Sequence, residues 1–128
     1  MAGTIEAARD AGAAQGVGLG REDFIDARGC DPAALASREI VARVFDRVAS
    51  DLRLHVLDQC WHTFPAPGGV TGILLLSESH LTVHTFPEWG VATFNLYCCR
   101  PKPDWPWAQQ LQELLGATDV HVRSLRRG

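Results

Sequence analysis

The sequence predicts an α+β fold: a two-layer α/β sandwich in the order βαβββαβ, with two helices on one face of an antiparallel sheet. Three β-rich runs, at 70–77, 80–86 and 90–99, follow one another with only a few residues between them. Parallel strands need crossovers of a dozen residues or more, so these short connections favour an antiparallel meander. Two segments with helical periodicity flank the meander, which is typical of a sheet covered by helices on one side.

The first half of the chain supplies a strand, a helix and a further β segment. Phe24 and Ile25 lie in a segment, 22–27, that alternates acidic and apolar residues and predicts a short strand. Asp31-Pro32 is a helix-start signal, and apolar residues then recur every three to five positions, which predicts a helix over 32–53. Residues 54–64 read as a strand and loop that end at a Pro- and Gly-rich turn.

The second half adds the meander, a second helix and a last strand. Three prolines between 101 and 106 end the meander. Trp107, Leu111 and Leu115 then follow helical spacing up to Gly116, which predicts a helix that stops at this glycine. Residues 119–125 alternate like a final strand.

Length and composition predict one small domain. The chain has 128 residues, of which 46% are hydrophobic and 21% charged. Residues 1–20 hold many Ala and Gly and almost nothing large, so we expect a flexible extension there and a folded domain over 21–128. A net charge of −3 makes nucleic acid an unsuitable partner.

The predicted location is the cytoplasm. The N-terminus lacks a basic stretch followed by an apolar core, so it does not resemble a secretory signal. The longest apolar runs fall far short of the roughly 20 residues that span a bilayer, so no membrane partner is expected. In this setting the four cysteines (Cys30, Cys60, Cys98 and Cys99) are expected to be free thiols.

The densest group of chemically active side chains lies at 77–88, and three chemistries compete for it. A metal is discounted because His80 and His84, four residues apart on a strand, are separated by about 13 Å. A serine hydrolase lacks its Gly-x-Ser-x-Gly elbow, since Glu78 and His80 flank Ser79. A cysteine nucleophile paired with histidine stays open, because such pairs are recognised only by their arrangement in space.

The third possibility is a resemblance. Residues 78–88, with the sequence ESHLTVHTFPE, resemble the self-processing segment of the short prokaryotic S-adenosylmethionine decarboxylases, pyruvoyl enzymes of spermidine synthesis. The resemblance continues through 69–72 and to Cys99, and more weakly over about 20–125 in all. It implies a cytoplasmic enzyme that works as a dimer of processed protomers, with sites at the interface.

The resemblance implies cleavage between Glu78 and Ser79, which would give chains of 78 and 50 residues. Ser79 becomes a pyruvoyl group that forms a Schiff base with the substrate, so neither pyridoxal phosphate nor a metal is needed. His84 matches the histidine that removes the α-proton during processing, and Thr71 a hydroxyl residue that assists it. Cys99 matches the cysteine that returns a proton to the substrate carbon.

The resemblance also implies how the substrate is bound. Glu88 matches the acid that hydrogen-bonds ribose hydroxyls. Phe64 is a candidate for stacking on adenine, and Phe86 stands where the family usually has Trp before Pro-Glu. Taken singly, each of these residues has an ordinary structural reading, and only the continuous string favours the functional one.

The first strand departs from the family pattern. Glu22 and Asp23 stand where the family usually has a histidine and an apolar residue. Two alternatives therefore stay open: a pyruvoyl-dependent decarboxylase of a basic amino acid such as L-ornithine or L-arginine, with these acids facing the distal cation, or an unprocessed regulatory or binding homologue. The pattern also poses a geometric problem, because Ser79 and His84 face opposite sides of a regular strand unless the strand starts or bends at Ser79.

Overall fold

The computed structural model describes residues 18–128, which form one six-stranded sheet and three helices. The strands are β1 (Gly20–Arg28), β2 (Val56–Thr63), β3 (Val70–Leu76), β4 (Ser79–Phe86), β5 (Val91–Cys98) and β6 (Asp119–Arg127). The helices are α1 (Pro32–Leu35), α2 (Arg38–Asp51) and α3 (Trp107–Leu115). The strand order in the sheet is β2-β3-β4-β5-β1-β6, and every neighbouring pair is antiparallel.

This architecture confirms the predicted α+β class and differs from the predicted order in one respect. Four strands, not three, lie between the two longer helices, because the segment after α2 forms a full strand beside the three-strand meander. Residues 1–17 of the predicted extension lie outside the described residues. Gly20 already begins β1, and the neighbouring Leu19 N–H donates to the Arg127 carbonyl at 2.9 Å.

The helix predicted over 32–53 is two helices. Asp31 caps the first, since its side chain accepts a hydrogen bond from the Ala33 N–H, and Pro32 occupies the first turn. Ser37 then begins a second helix by accepting from the Ile40 N–H at 3.2 Å. Side-chain capping thus divides a segment whose apolar spacing is continuous. The second predicted helix is confirmed and ends at Gly116, whose φ of 72° suits glycine.

The two longer helices pack on one face of the sheet, as predicted. On β3, β4 and β5 alternate residues are buried, which defines a helix-side face and an outer face. The helix-side core includes Val41, Val44, Phe45, Val48, Leu74, Leu81, Val83, Phe94, Leu96, Trp107, Leu111 and Leu115. Among the described residues, no helix is long and apolar enough to cross a membrane.

Truncating Leu111 should destabilise the fold strongly. This side chain is fully buried on α3, so Leu111→Ala removes apolar contacts and leaves a cavity, with an expected loss of about 2–5 kcal/mol in the free energy of unfolding. Urea denaturation measures the change. Gln112→Ala, at an exposed position on the same helix, is the control and should shift stability by less than about 0.5 kcal/mol. An equal effect for both variants would contradict this account of the core.

Candidate active site

Ser79 is the first residue of β4, directly after a tight turn at Ser77 and Glu78. The turn joins β3 to β4, and Leu76 pairs with Ser79 across it. The strand thus starts at this serine, but the start does not bring Ser79 and His84 to one face. Ser79 shares the helix-side face with Leu81 and Val83, whereas His84 lies on the outer face.

The end of β5 holds the peptide bond between Glu78 and Ser79. The Cys99 N–H donates to the Glu78 carbonyl oxygen at 3.3 Å. The guanidinium of Arg100 forms an ion pair with the Glu78 carboxylate. Cys98 lies directly opposite Ser79 in the ladder. Three consecutive residues of one strand end therefore contact the two residues that flank the predicted cleavage point.

Two cavities flank residues 98–102. The smaller, of about 150 Å³, is lined by Ser79 and Cys99 together with the basic side chains of Arg53, Arg100 and Lys102. The larger, of about 320 Å³, lies beside it. Its lining includes Cys98, Cys99, Asp23, Trp105 and Ser124. The predicted cleavage point therefore borders space that a small molecule can enter.

Cys99 lies one residue beyond β5 and is exposed. The proximity of its side chain to the phenol of Tyr97 is the largest cause of a raised Tyr97 pKa. The same phenol donates to the Leu19 carbonyl at 2.5 Å. Cys99 thus combines a backbone contact to Glu78 with an accessible thiol beside Ser79.

Thr71 and His84 form a second polar group. They are paired across β3 and β4, and Thr71 Oγ1 lies 3.0 Å from His84 Nδ1 on the exposed outer face. The five-residue separation between Ser79 and His84 corresponds to about 17 Å of strand. The structure therefore brings Thr71 together with His84, and it does not bring either to Ser79 within one chain.

The candidate substrate-binding residues lie at the same end of β4 as His84. Glu88 belongs to a 3-10 turn (Pro87–Trp89) that follows β4. Phe86 stacks on Trp89 at 5.8 Å between ring centroids, and Trp89 is 72% exposed. Phe64 follows β2 and meets His62 edge to face at 4.5 Å. Exposed aromatic rings beside a carboxylate are suited to a nucleoside.

Glu22 and Asp23 do not form a joint acidic site. Asp23 is buried on the helix side, where Arg21 Nε lies 3.2 Å away and the Ser124 hydroxyl donates at 2.6 Å. Glu22, on the outer face, accepts from Arg127 at 2.7 Å and from an asparagine amide at 3.0 Å. Both carboxylates are already paired with arginine. Neither offers a free charge to a substrate cation.

Sequence reasoning missed Arg100 and assigned Cys98 no role beyond that of a free thiol. Both contacts depend on the β4–β5 register, which the sequence does not state. The Thr71–His84 pair had a usable signal: a two-residue turn at Ser77 and Glu78 fixes the hairpin register and sets these residues opposite each other. Among residues 18–128, no three His, Cys, Asp or Glu side chains are grouped as metal ligands.

Comparison with known proteins decides the family. The model of the S-adenosylmethionine decarboxylase family matches residues 21–128. The chain belongs to the S-adenosylmethionine decarboxylase family. Similar proteins named S-adenosylmethionine decarboxylase proenzyme include one from Shouchella clausii, 38% identical over 111 residues, and one from Caldicellulosiruptor saccharolyticus, 33% identical over 111 residues. These alignments cover 86% of this chain, with 85% and 89% of the two relatives.

A solved structure of an S-adenosylmethionine decarboxylase supports the fold. The crystal structure of the adenosylmethionine decarboxylase from Aquifex aeolicus VF5 matches with a TM-score of 0.73 and 24% sequence identity, covering 87% of this chain and 92% of that chain. The family match over residues 21–128 confirms the resemblance noted at residues 78–88. The roles of the individual site residues stay predictions.

Proposed function

We propose that this protein is a proenzyme that cleaves itself between Glu78 and Ser79 and then decarboxylates S-adenosylmethionine. Family membership makes it a carboxy-lyase of the adenosylmethionine decarboxylase type, and its relatives are named proenzymes. The observation that carries the cleavage site is the Cys99 N–H on the Glu78 carbonyl, with Ser79 at the start of the next strand. Decarboxylated S-adenosylmethionine and CO2 are the expected products.

The Glu78 carbonyl is prepared for attack. When the Ser79 hydroxyl adds to the carbonyl carbon, negative charge develops on the oxygen that already accepts from the Cys99 N–H. A donor fixed at that oxygen stabilises the transition state. The Glu78–Ser79 amide bond then breaks and an ester to the serine oxygen replaces it, so the α-amine of Ser79 becomes free.

The second half of processing needs a base at the Ser79 α-carbon. Removal of the α-proton expels the main-chain carboxylate of Glu78 from the β-carbon of residue 79. Hydrolysis of the resulting dehydroalanine then releases ammonia and leaves a pyruvoyl group. His84 is the proposed base, and the hydroxyl of Thr71 at Nδ1 fixes its ring orientation. Glu78 becomes a new C-terminus, which the ion pair with Arg100 keeps close to the site.

Ser79 and its neighbours are suited to hold the family's pyruvoyl group. Ser79 begins a strand, borders a cavity of about 150 Å³ and lies among cationic side chains that suit the substrate carboxylate. The group would supply a ketone that condenses with the substrate amine and accepts the electrons released with CO2. The accessible Cys99 thiol is the proposed donor of the proton that completes the product.

A two-fold dimer would complete the site. In one chain Ser79 and Cys99 lie at one end of β4, whereas Thr71, His84 and Glu88 lie at the other. An isologous interface whose two-fold axis runs across the strands sets unlike ends of the two copies side by side. The outer face suits such contact, since it presents His84 together with Ile73 and Leu75, which are 42% and 48% exposed. Ser79 is the first residue of β4 and is only partly buried, so each active site would use Ser79 at this strand end of one protomer and His84 from the outer face of its partner.

The substrate follows from the same arrangement. An exposed aromatic surface around Phe86 and the carboxylate of Glu88 suit the adenine and ribose of S-adenosylmethionine. A basic amino acid as substrate would need a free carboxylate at its distal cation, but Asp23 and Glu22 are paired with arginines.

Intact-mass measurement of the purified protein tests the proposed self-cleavage first: two chains of about 78 and 50 residues support it. A single mass for the whole chain would contradict it.

Changing Cys99 should separate cleavage from turnover. Cys99→Ala keeps the backbone N–H that contacts Glu78, so cleavage should proceed, while loss of the proton donor should lower decarboxylation by about 10²–10⁴-fold. Release of labelled CO2 from S-adenosylmethionine measures turnover, with L-ornithine and L-arginine assayed in parallel. Cys60→Ala, an exposed cysteine on β2, is the control. Normal turnover in Cys99→Ala, or release from an amino acid only, would contradict the assignment.

A further inference from the structure

Two cysteines follow one another at the end of β5, and the buried one, not the exposed one, faces Ser79. Cys98 is 7% exposed, and its Cα is the ladder partner of Ser79. Residues directly opposite in an antiparallel pair project to the same face, with their Cβ atoms about 4.5–5.5 Å apart. Both side chains also line the cavity of about 150 Å³. The Cys98 thiol and the Ser79 hydroxyl are therefore neighbours on one face of the sheet.

The surroundings of Cys98 keep it a thiol. Burial is the largest cause that raises its pKa, the negative charge of Asp23 adds to the increase, and the neighbouring Ser79 hydroxyl acts in the opposite direction. A neutral thiol is a poor base but can accept a weak hydrogen bond. Cys98 is therefore suited to orient the serine hydroxyl, and it is not suited to deprotonate it.

We propose that Cys98 is a positioning residue for self-cleavage. Its Sγ accepts the hydrogen bond of the Ser79 hydroxyl and thereby directs a lone pair of Oγ toward the Glu78 carbonyl carbon. The Cys99 N–H holds the oxygen of that carbonyl from the adjacent position. Cys98 would thus fix the nucleophile, and Cys99, the next residue, the electrophile. The inference rests on the proposed self-cleavage and assigns to it a residue that does not become part of the pyruvoyl group.

Cys30 allows the packing role of a buried cysteine to be measured separately. It is 4% exposed, and burial raises its pKa to about 11, so it resembles Cys98 in its surroundings. It precedes α1, and its N–H donates to the Gly90 carbonyl near the opposite end of the sheet. Cys30→Ala and Cys98→Ala remove the same atoms from buried positions, and only the second removes a group that contacts Ser79.

The test follows cleavage in time after cell-free synthesis of the full chain, by gel separation of the intact chain from its fragments. Cys98→Ala should cleave about tenfold more slowly than wild type, and Cys30→Ala at the wild-type rate. Cys98→Ser, which restores a hydrogen-bonding group, should recover most of the rate. Thermal unfolding should show similar losses for the two alanine variants. If Cys98→Ala does not fold, Cys98→Val fills the space without a hydrogen-bond acceptor and should also be slow.

Three results would overturn the inference. Wild-type cleavage in Cys98→Ala would show that the thiol has no part in the reaction. Slow cleavage in Cys98→Ser, equal to that of Cys98→Ala, would assign the effect to packing. Equal slowing in Cys30→Ala would assign it to stability. The wild-type chain separates these from failure of the proposed function: if it stays intact, self-cleavage itself is wrong, and the role of Cys98 falls with it.

Discussion

Replacing Ser79 with alanine should leave the protein as one chain of 128 residues, where the wild type should give fragments of 78 and 50 residues. Alanine has no hydroxyl to add to the Glu78 carbonyl, so the amide bond has no nucleophile and cleavage should be abolished. The fold should persist, because Ser79 lies at a strand start and is only partly buried. Intact-mass measurement checks the result, and the variant should release no CO2 from S-adenosylmethionine.

The control for this variant lies within the same turn. Ser77→Ala removes a hydroxyl two residues upstream and leaves the Ser77 N–H free to donate to the His55 carbonyl at 3.0 Å. It should cleave normally, and its 50-residue fragment should resist N-terminal sequencing because a pyruvoyl group has no amine. A fragment with a free serine amine would indicate an external protease. Cleavage of Ser79→Ala at the same place would have the same meaning.

Much of the fold could be predicted from local pattern. Alternation of apolar residues, short connections and the stop at Gly116 depend on neighbours in sequence, and these elements are confirmed. The division of the first helix at Ser37 was not predicted, because the apolar spacing continues through the capping serine. The predicted order has one strand fewer than the structure, because it does not count the strand predicted within 54–64 in addition to the three β-rich runs.

The candidate site, like the fold, has one part that the local sequence predicts and another that it does not. The motif at 78–88 is local, so Ser79 and His84 could be proposed as site residues from the sequence alone. What it could not provide is their relation in space, since that depends on which face and which end of β4 each residue occupies. The contacts of Cys98 and Arg100 depend on the pairing of β5 with β4, which joins residues some twenty positions apart in the sequence. Local pattern identifies the residues, and strand register determines which of them meet.

The separation of Ser79 from His84 leads to a second strong prediction, that two inactive variants can restore cleavage in each other. Ser79→Ala lacks the nucleophile and His84→Ala lacks the proposed base, so each expressed alone should stay intact. Co-expressed with distinguishable tags, they should form mixed dimers. In one site of such a dimer, Ser79 of the His84→Ala chain would meet the intact His84 of its partner.

The expected result is asymmetric, which makes it informative. Only the His84→Ala chain should be cleaved, in about half of its copies if equal amounts of the two chains pair at random, and the Ser79→Ala chain never. Size-exclusion chromatography with light scattering establishes that dimers form, and mass measurement identifies the cleaved chain by its tag. As a control, the double variant Ser79→Ala/His84→Ala co-expressed with His84→Ala supplies no intact histidine and should restore nothing. Five residues of strand and opposite faces separate the two side chains in one protomer, so the histidine is expected to come from the partner. Cleavage of the His84→Ala variant expressed alone would exclude His84 as the base. An intact His84→Ala chain in verified mixed dimers would show that the two ends of β4 do not meet across the interface.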